Sequence, residues 1–106
     1  MLEKGQMGKP EKNIEAWRQR VPVEVRKEQV LAVLQRWFPD QYEFKSGSHI
    51  VVTVEKFRGR PGYGPDGDFS IPVRNGQTVK GFYVKGLIQA IDTLREMESG
   101  NDVQKP

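Results

Sequence analysis

The chain has 106 residues, 17 lysines and arginines against 14 acids for a net charge of +3, one histidine and no cysteine. That length fits a single domain that buries one core without disulfides or a structural metal, and a lone histidine without any thiol excludes a zinc centre of the usual Cys/His kind. The opening Met1-Leu2-Glu3-Lys4-Gly5-Gln6 carries an acid and lacks an apolar h-region, and no later apolar run approaches membrane-spanning length, which argues for a cytoplasmic protein rather than an exported or inserted one; the small positive excess suits an anionic partner without demanding one.

Residues Met1 to Lys12 are polar and show no period that would bury a face, so they read as a mobile arm. From Asn13, a candidate cap, Ile14, Trp17 and Val21 recur at helical spacing and predict a short helix that Val21-Pro22 ends. Positions 1–22 thus form an arm and a short helix ahead of one domain over 23–100, and 101–106 a frayed tail. From Glu24, Val30, Leu34 and Trp37 lie on one line with Leu31 and Phe38 beside it, and Arg26, Lys27, Gln29 and Gln35 occupy other faces. This is an amphipathic helix, stopped by Pro39, and its two terminal aromatics read as core rather than as a stacking platform for bases.

Tyr42-Glu43-Phe44-Lys45 is a short alternating strand, and Ser46-Gly47-Ser48 supplies the corner into a second strand from Ile50 to Phe57. Alternation puts Ile50, Val52 and Val54 on one face and His49, Val51, Thr53 and Glu55 on the other. If the aliphatic set packs under helices, His49 faces the open side of the sheet. Arg58 to Gly67 interleaves glycine and proline too densely for regular structure. Gly62-Tyr63-Gly64-Pro65-Asp66-Gly67 matches G-x-G-x-x-G, but a strand follows where a dinucleotide site needs a helix, so the nucleotide reading is rejected. What remains is a hairpin tip whose Arg58, Arg60 and Tyr63 suit phosphate contacts and base stacking.

A third strand, Phe69 to Val73, precedes an Asn-Gly turn at Arg74-Asn75-Gly76-Gln77. Val84, Leu87, Ile88, Ile91 and Leu94 then mark a helix from about Gly81 to Glu98 with Gly100 as its C-terminal cap. Lys80 and Lys85 begin this helix, the end where cations oppose the macrodipole, which together with the phosphate affinity of a helix N-terminus suggests an anion-binding corner. The expected architecture is α+β: an extra N-terminal helix, then α-β-β-β-α with a three-stranded antiparallel sheet covered by helices on one face. That order is the one found in double-stranded-RNA-binding domains, and order alone implies no function.

Gly47-Ser48-His49 opening the second strand, Ile71-Pro72-Val73-Arg74 closing the third, and Val79-Lys80-Gly81 leading to Gly86-Leu87-Ile88-Gln89-Ala90-Ile91 together resemble the HicA toxin family. The resemblance covers Glu28 to about Ile91. It implies an mRNA interferase: a small, metal-independent endoribonuclease of a type II toxin–antitoxin system, on a double-stranded-RNA-binding-like fold, acting on mRNA without a cofactor and held inactive by a HicB-type antitoxin. The family's essential histidine maps onto His49. Many members carry a second histidine where this chain has Ile50, and another where it has Arg74.

The residues make chemical sense of that expectation. His49 is the only side chain whose residue type titrates near neutrality, and a metal-free cleavage that recruits the RNA 2′-hydroxyl needs a base of that kind. Lys45 and Arg74, flanking the histidine motif, and Ser48, Arg58, Arg60, Lys80 and Lys85 are candidate RNA contacts. The general acid stays open between water, Lys45 and the protonated His49. Two other classes remain: a non-catalytic RNA- or protein-binding module on the same fold, and a protein-interaction domain that uses Trp17 and the N-terminal helix.

Overall fold

In a computed structural model, residues 8–103 of the chain are described, with side chains described for residues 8–99. The expectations for Met1–Met7 and for Gln104–Pro106 lie outside them. The element order is α1 (Lys9–Gln19), β1 (Glu24–Arg26), α2 (Lys27–Trp37), β2 (Tyr42–Lys45), β3 (His49–Thr53), β4 (Asp68–Pro72), β5 (Thr78–Lys80) and α3 (Gly81–Val103).

Helix α1 begins at Lys9, not Asn13. Pro10 sits in its first turn, where the missing N–H would have had no intrahelical partner, and Glu11 favours the same end electrostatically. The segment taken as arm is therefore helical from Lys9. Ile14 and Trp17 are each only 5% exposed and join one continuous apolar cluster with α2, the sheet and α3. That burial removes Trp17 as a contact for a partner, and it makes α1 part of the same core as the rest of the domain.

The second correction concerns Glu24–Arg26, expected as helix and found as strand. β1 pairs antiparallel with β5, Glu24 opposite Lys80 and Val25 opposite Val79, in a small second sheet. Only Val25 and Val79 are buried there, so each strand offers a single apolar residue and no readable period. Helix α2 follows at once, its start fixed by the Arg26 backbone N–H donating to Gln29 Oε1 at 3.0 Å. Val30, Val33 and Leu34 are buried, and Phe38, which ends the helix before Pro39, is fully buried; Trp37 packs at the margin.

The main sheet is three-stranded and antiparallel in the order β2-β3-β4. Ile50 and Val52 are fully buried whereas His49 and Thr53 are exposed, as alternation requires. β3 ends at Thr53 rather than Phe57, because a single 3-10 turn at Glu55–Phe57 swings Phe57 into the core, edge-on to Phe38 at 6.0 Å. Lys80 is the last residue of β5, and α3 starts after it. α3 also runs through Gly100 to Val103 instead of stopping there; glycine lowers helix propensity without blocking the backbone.

Two surface ion pairs fasten α1. Arg36 of α2 bonds Glu11, and Arg18 donates to both Asp92 carboxylate oxygens, at 3.0 and 2.5 Å. The Arg18 bonds hold the Asp92 carboxyl below the usual carboxylate range and raise the guanidinium in turn. Asp92 binds its proton less tightly folded than unfolded, so this stabilisation is present at neutral pH and fades as pH falls through the depressed folded-state value. With side-chain exposures of 37% and 46%, solvent screening limits it to about 1 kcal/mol at most. Asp92→Asn is expected to lower the urea midpoint slightly at pH 7 and to match wild type in acid; equal midpoints at both pH values would discard the pair as a stabilising contact.

Candidate functional site

Two tight turns build the site. In Lys45-Ser46-Gly47-Ser48 the Ser48 N–H donates to the Lys45 carbonyl at 3.1 Å, with Ser46 at φ 55° and Gly47 at φ 67°. Positive φ at both central residues is the hairpin turn whose twist matches the strands it joins. It delivers His49 to the first position of β3 with its side chain on the face away from the helices. The second turn, Arg74-Asn75-Gly76-Gln77, repeats the device with φ 51° at Asn75 and 67° at Gly76, and the Gln77 N–H donates to the Arg74 carbonyl at 2.8 Å. The turns abut. A Cβ on Gly76 would stand 3.6 Å from the Gly47 carbonyl oxygen, and the Val73 N–H donates to the Ser48 carbonyl at 2.7 Å.

Across the sheet, Lys45, His49 and Pro72 are directly opposite one another, so they form one row on the exposed face. Arg74 lies two residues beyond Pro72 and begins the second turn. Lys45 is exposed, with its ammonium 4.0 Å from Glu43 on the same strand. His49 is exposed, and its Nδ1 lies 2.9 Å from Ser48 Oγ. A hydroxyl both donates and accepts, so Ser48 holds the ring in either tautomer. With Nδ1–H donating to Ser48, the Nε2 lone pair is left for a proton acceptor's role. Ile50, where the HicA resemblance would put a second histidine, is fully buried on the opposite face. An imidazole there would lie in the core and could not reach a substrate on the open face.

The structure thus gathers Lys45, Ser48 and His49 with the Arg74 turn at one end of the sheet. It does not bring Arg58 and Arg60 to them. Both follow the far end of β3, whose four-residue rise from His49 to Thr53 is about 13 Å, and Arg58 is engaged with Glu55 at 3.6 Å and Asp66 at 4.0 Å. Tyr63, expected as a stacking residue, is packed against Phe57 at 4.6 Å and Phe69 at 5.7 Å. Lys80 is opposite Glu24 in the second sheet, while Lys85 lines a groove between β4 and α3. Sequence reasoning passed over Phe82, which is 74% exposed; the signal was an aromatic lying off the apolar stripe of α3 between two lysines. Among the described residues, no group of three metal-ligating side chains is assembled, and no helix is long and apolar enough to cross a membrane. Comparison with protein families, with curated proteins and with solved structures returns no match to this chain.

Proposed function

We propose that this protein is a HicA-like mRNA interferase, an endoribonuclease that cleaves RNA by histidine acid–base catalysis and belongs to a toxin–antitoxin pair with a HicB-type partner. The α-β-β-β-α order of α2, β2, β3, β4 and α3 supports a double-stranded-RNA-binding-like fold, with α1 and the β1–β5 pair as additions. One observation carries the functional reading: His49 is exposed at the middle of a row on the open face of the sheet, between Lys45 and Pro72, its ring oriented by Ser48, with cations on both flanking turns.

The chemistry follows from that placement. His49 Nε2 takes the proton of a ribose 2′-hydroxyl, the oxygen attacks the adjacent phosphorus, and the bond from phosphorus to the 5′ oxygen breaks. The products are a 2′,3′-cyclic phosphate and a 5′-hydroxyl end. The departing oxygen receives a proton from water, from Lys45 or from the imidazolium just formed. Lys45 and Arg74, carried by the two turns beside His49, offset charge building on the phosphorane.

A phosphate-contacting arginine affects all sequences alike. Arg74→Ala is expected to weaken binding uniformly across oligoribonucleotides and to reduce the slope of log affinity against log salt by about 0.7. An unchanged slope would remove Arg74 from the interface. The reading as a whole is tested by incubating purified protein with mRNA and identifying the product ends. Cyclic phosphate termini that vanish in His49→Ala are expected, whereas equal RNA binding by both proteins with no cleavage by either points to a binding module instead. Ile50 and Arg74, standing where many HicA members carry histidine, are the features that favour this second reading.

A further inference from the structure

Phe82 is the most exposed of the described aromatic side chains, at 74%, and its ring meets that of its neighbour Tyr83 edge to face, 5.1 Å between centroids. It lies in the first turn of α3 on the side opposite the buried Val84, Leu87 and Ile91. Phe82, Gly86 and Gln89 recur at i, i+4 and i+7 and with Lys85 form one wall of a groove of about 340 Å³; the edge of β4 at Phe69–Ile71 forms the other, and the loop at residues 61–63 completes the lining. Among the described residues, Lys85 is the one charged residue lining it, and no carboxylate does. A Cβ on Gly86 would meet nothing within 4 Å, so packing within the chain places no demand for glycine there. Its effect is a flat helix surface beside an exposed ring.

The strand edge is as informative. The Val73 N–H bond to Ser48 and the Val54 N–H bond to Gly67 fix the phase of the β3–β4 ladder, in which Ile71 and Phe69 face Ile50 and Val52. The Ser70 N–H and carbonyl therefore point away from β3, along the groove side. On one flank Pro72 has no N–H to offer, and on the other the Asp68 carbonyl already accepts from the Gly64 N–H at 2.8 Å. An edge one residue wide is too short for an added peptide strand. One donor and one acceptor beside an aromatic face suit the edge and the plane of a nucleobase. Ser70 is also the diagonal neighbour of His49, since His49 is opposite Pro72, which places the two about 7–8 Å apart.

We infer that the groove between the β4 edge and α3 is a subsite for one unpaired RNA base, stacked on Phe82, hydrogen-bonded to the Ser70 backbone and neutralised at its phosphate by Lys85, with the strand continuing over Pro72 to His49. The inference rests on the ribonuclease reading and adds the substrate class: single-stranded RNA, not duplex, at the cleavage site.

Short labelled single-stranded oligoribonucleotides titrated against His49→Ala protein at low salt, followed by fluorescence anisotropy, test it without cleavage. Adding Phe82→Ala is expected to weaken binding ~5- to ~150-fold, the effect of losing one base–aromatic stack. Phe82→Trp should retain affinity and lose indole emission on binding. Gly86→Gln, which fills the groove from an exposed helical position, should weaken binding as Phe82→Ala does, while duplex RNA should be indifferent to both changes. If wild type cuts RNA but neither substitution alters affinity, the base subsite is wrong, the ribonuclease reading stands, and the groove is left to a protein segment. If wild type neither binds nor cuts RNA, both fail together.

Discussion

His49→Ala is expected to slow single-turnover RNA cleavage by ~100- to ~10,000-fold, the range that a positioned general acid–base group supplies. The substitution is well suited to isolate chemistry from folding. His49 is exposed, its recorded side-chain bond is to the neighbouring Ser48, and the residues that hold the turn in place, Ser46 and Gly47, do so through backbone conformation. The circular dichroism spectrum and urea midpoint should therefore match wild type. In cells, induced wild type should arrest growth with loss of total mRNA integrity, and the folded variant should do neither. Growth and intact mRNA with both proteins would end the ribonuclease assignment. Ser48→Ala distinguishes positioning from chemistry: it leaves the imidazole present but untethered, so the cleavage rate should fall by less than in His49→Ala.

That site was legible because it depends on rules of short range. The two-residue period of β3 puts Ile50 and Val52 on one face and His49 on the other, and in the structure the aliphatic face is the buried one. Asn75-Gly76 announces its turn through the same backbone preference. What could not be read was whatever depends on partners distant in sequence. β1 and β5 are three residues each, and Val25 acquires its strand conformation from Val79, more than fifty positions away. Tyr63 sits in a loop whose composition promises solvent, yet it is captured by Phe57 and Phe69. Arg58 and Arg60 were placed with the site by charge alone, and the register of β3 sets them at its other end. Phe82 was hidden differently: a stripe of five aliphatics defines α3 so strongly that an aromatic on the opposite side reads as incidental.

Gly67→Ala should cost about 2–5 kcal/mol, from about 1–2 for a left-handed backbone in a residue bearing a Cβ and about 1–3 for overpacking. Gly67 ends the long loop where it returns to the sheet. Its φ is 78°, its carbonyl accepts the Val54 N–H at 3.1 Å, and its own N–H donates to the Gly64 carbonyl at 2.9 Å. A Cβ there would fall on the Val54 carbonyl oxygen and stand 3.0 Å from the Arg58 backbone nitrogen; both are main-chain atoms that cannot swing aside. Since domains of this size are stable by about 5–15 kcal/mol in all, the variant should show a much lower urea midpoint or a partly unfolded population at 25 °C. Gly62 provides the control, because its φ is 92° but a Cβ would meet nothing within 4 Å. Gly62→Ala should therefore cost about 1–2 kcal/mol, the backbone part alone. The difference between the two variants measures how tightly the loop is seated on the end of β3. Equal losses would mean that the loop is not seated there, and that Phe57 and Tyr63 hold it without help from the main chain. Because this seat is at the end of the sheet remote from His49, whatever fraction of Gly67→Ala remains folded should cleave RNA at the wild-type rate.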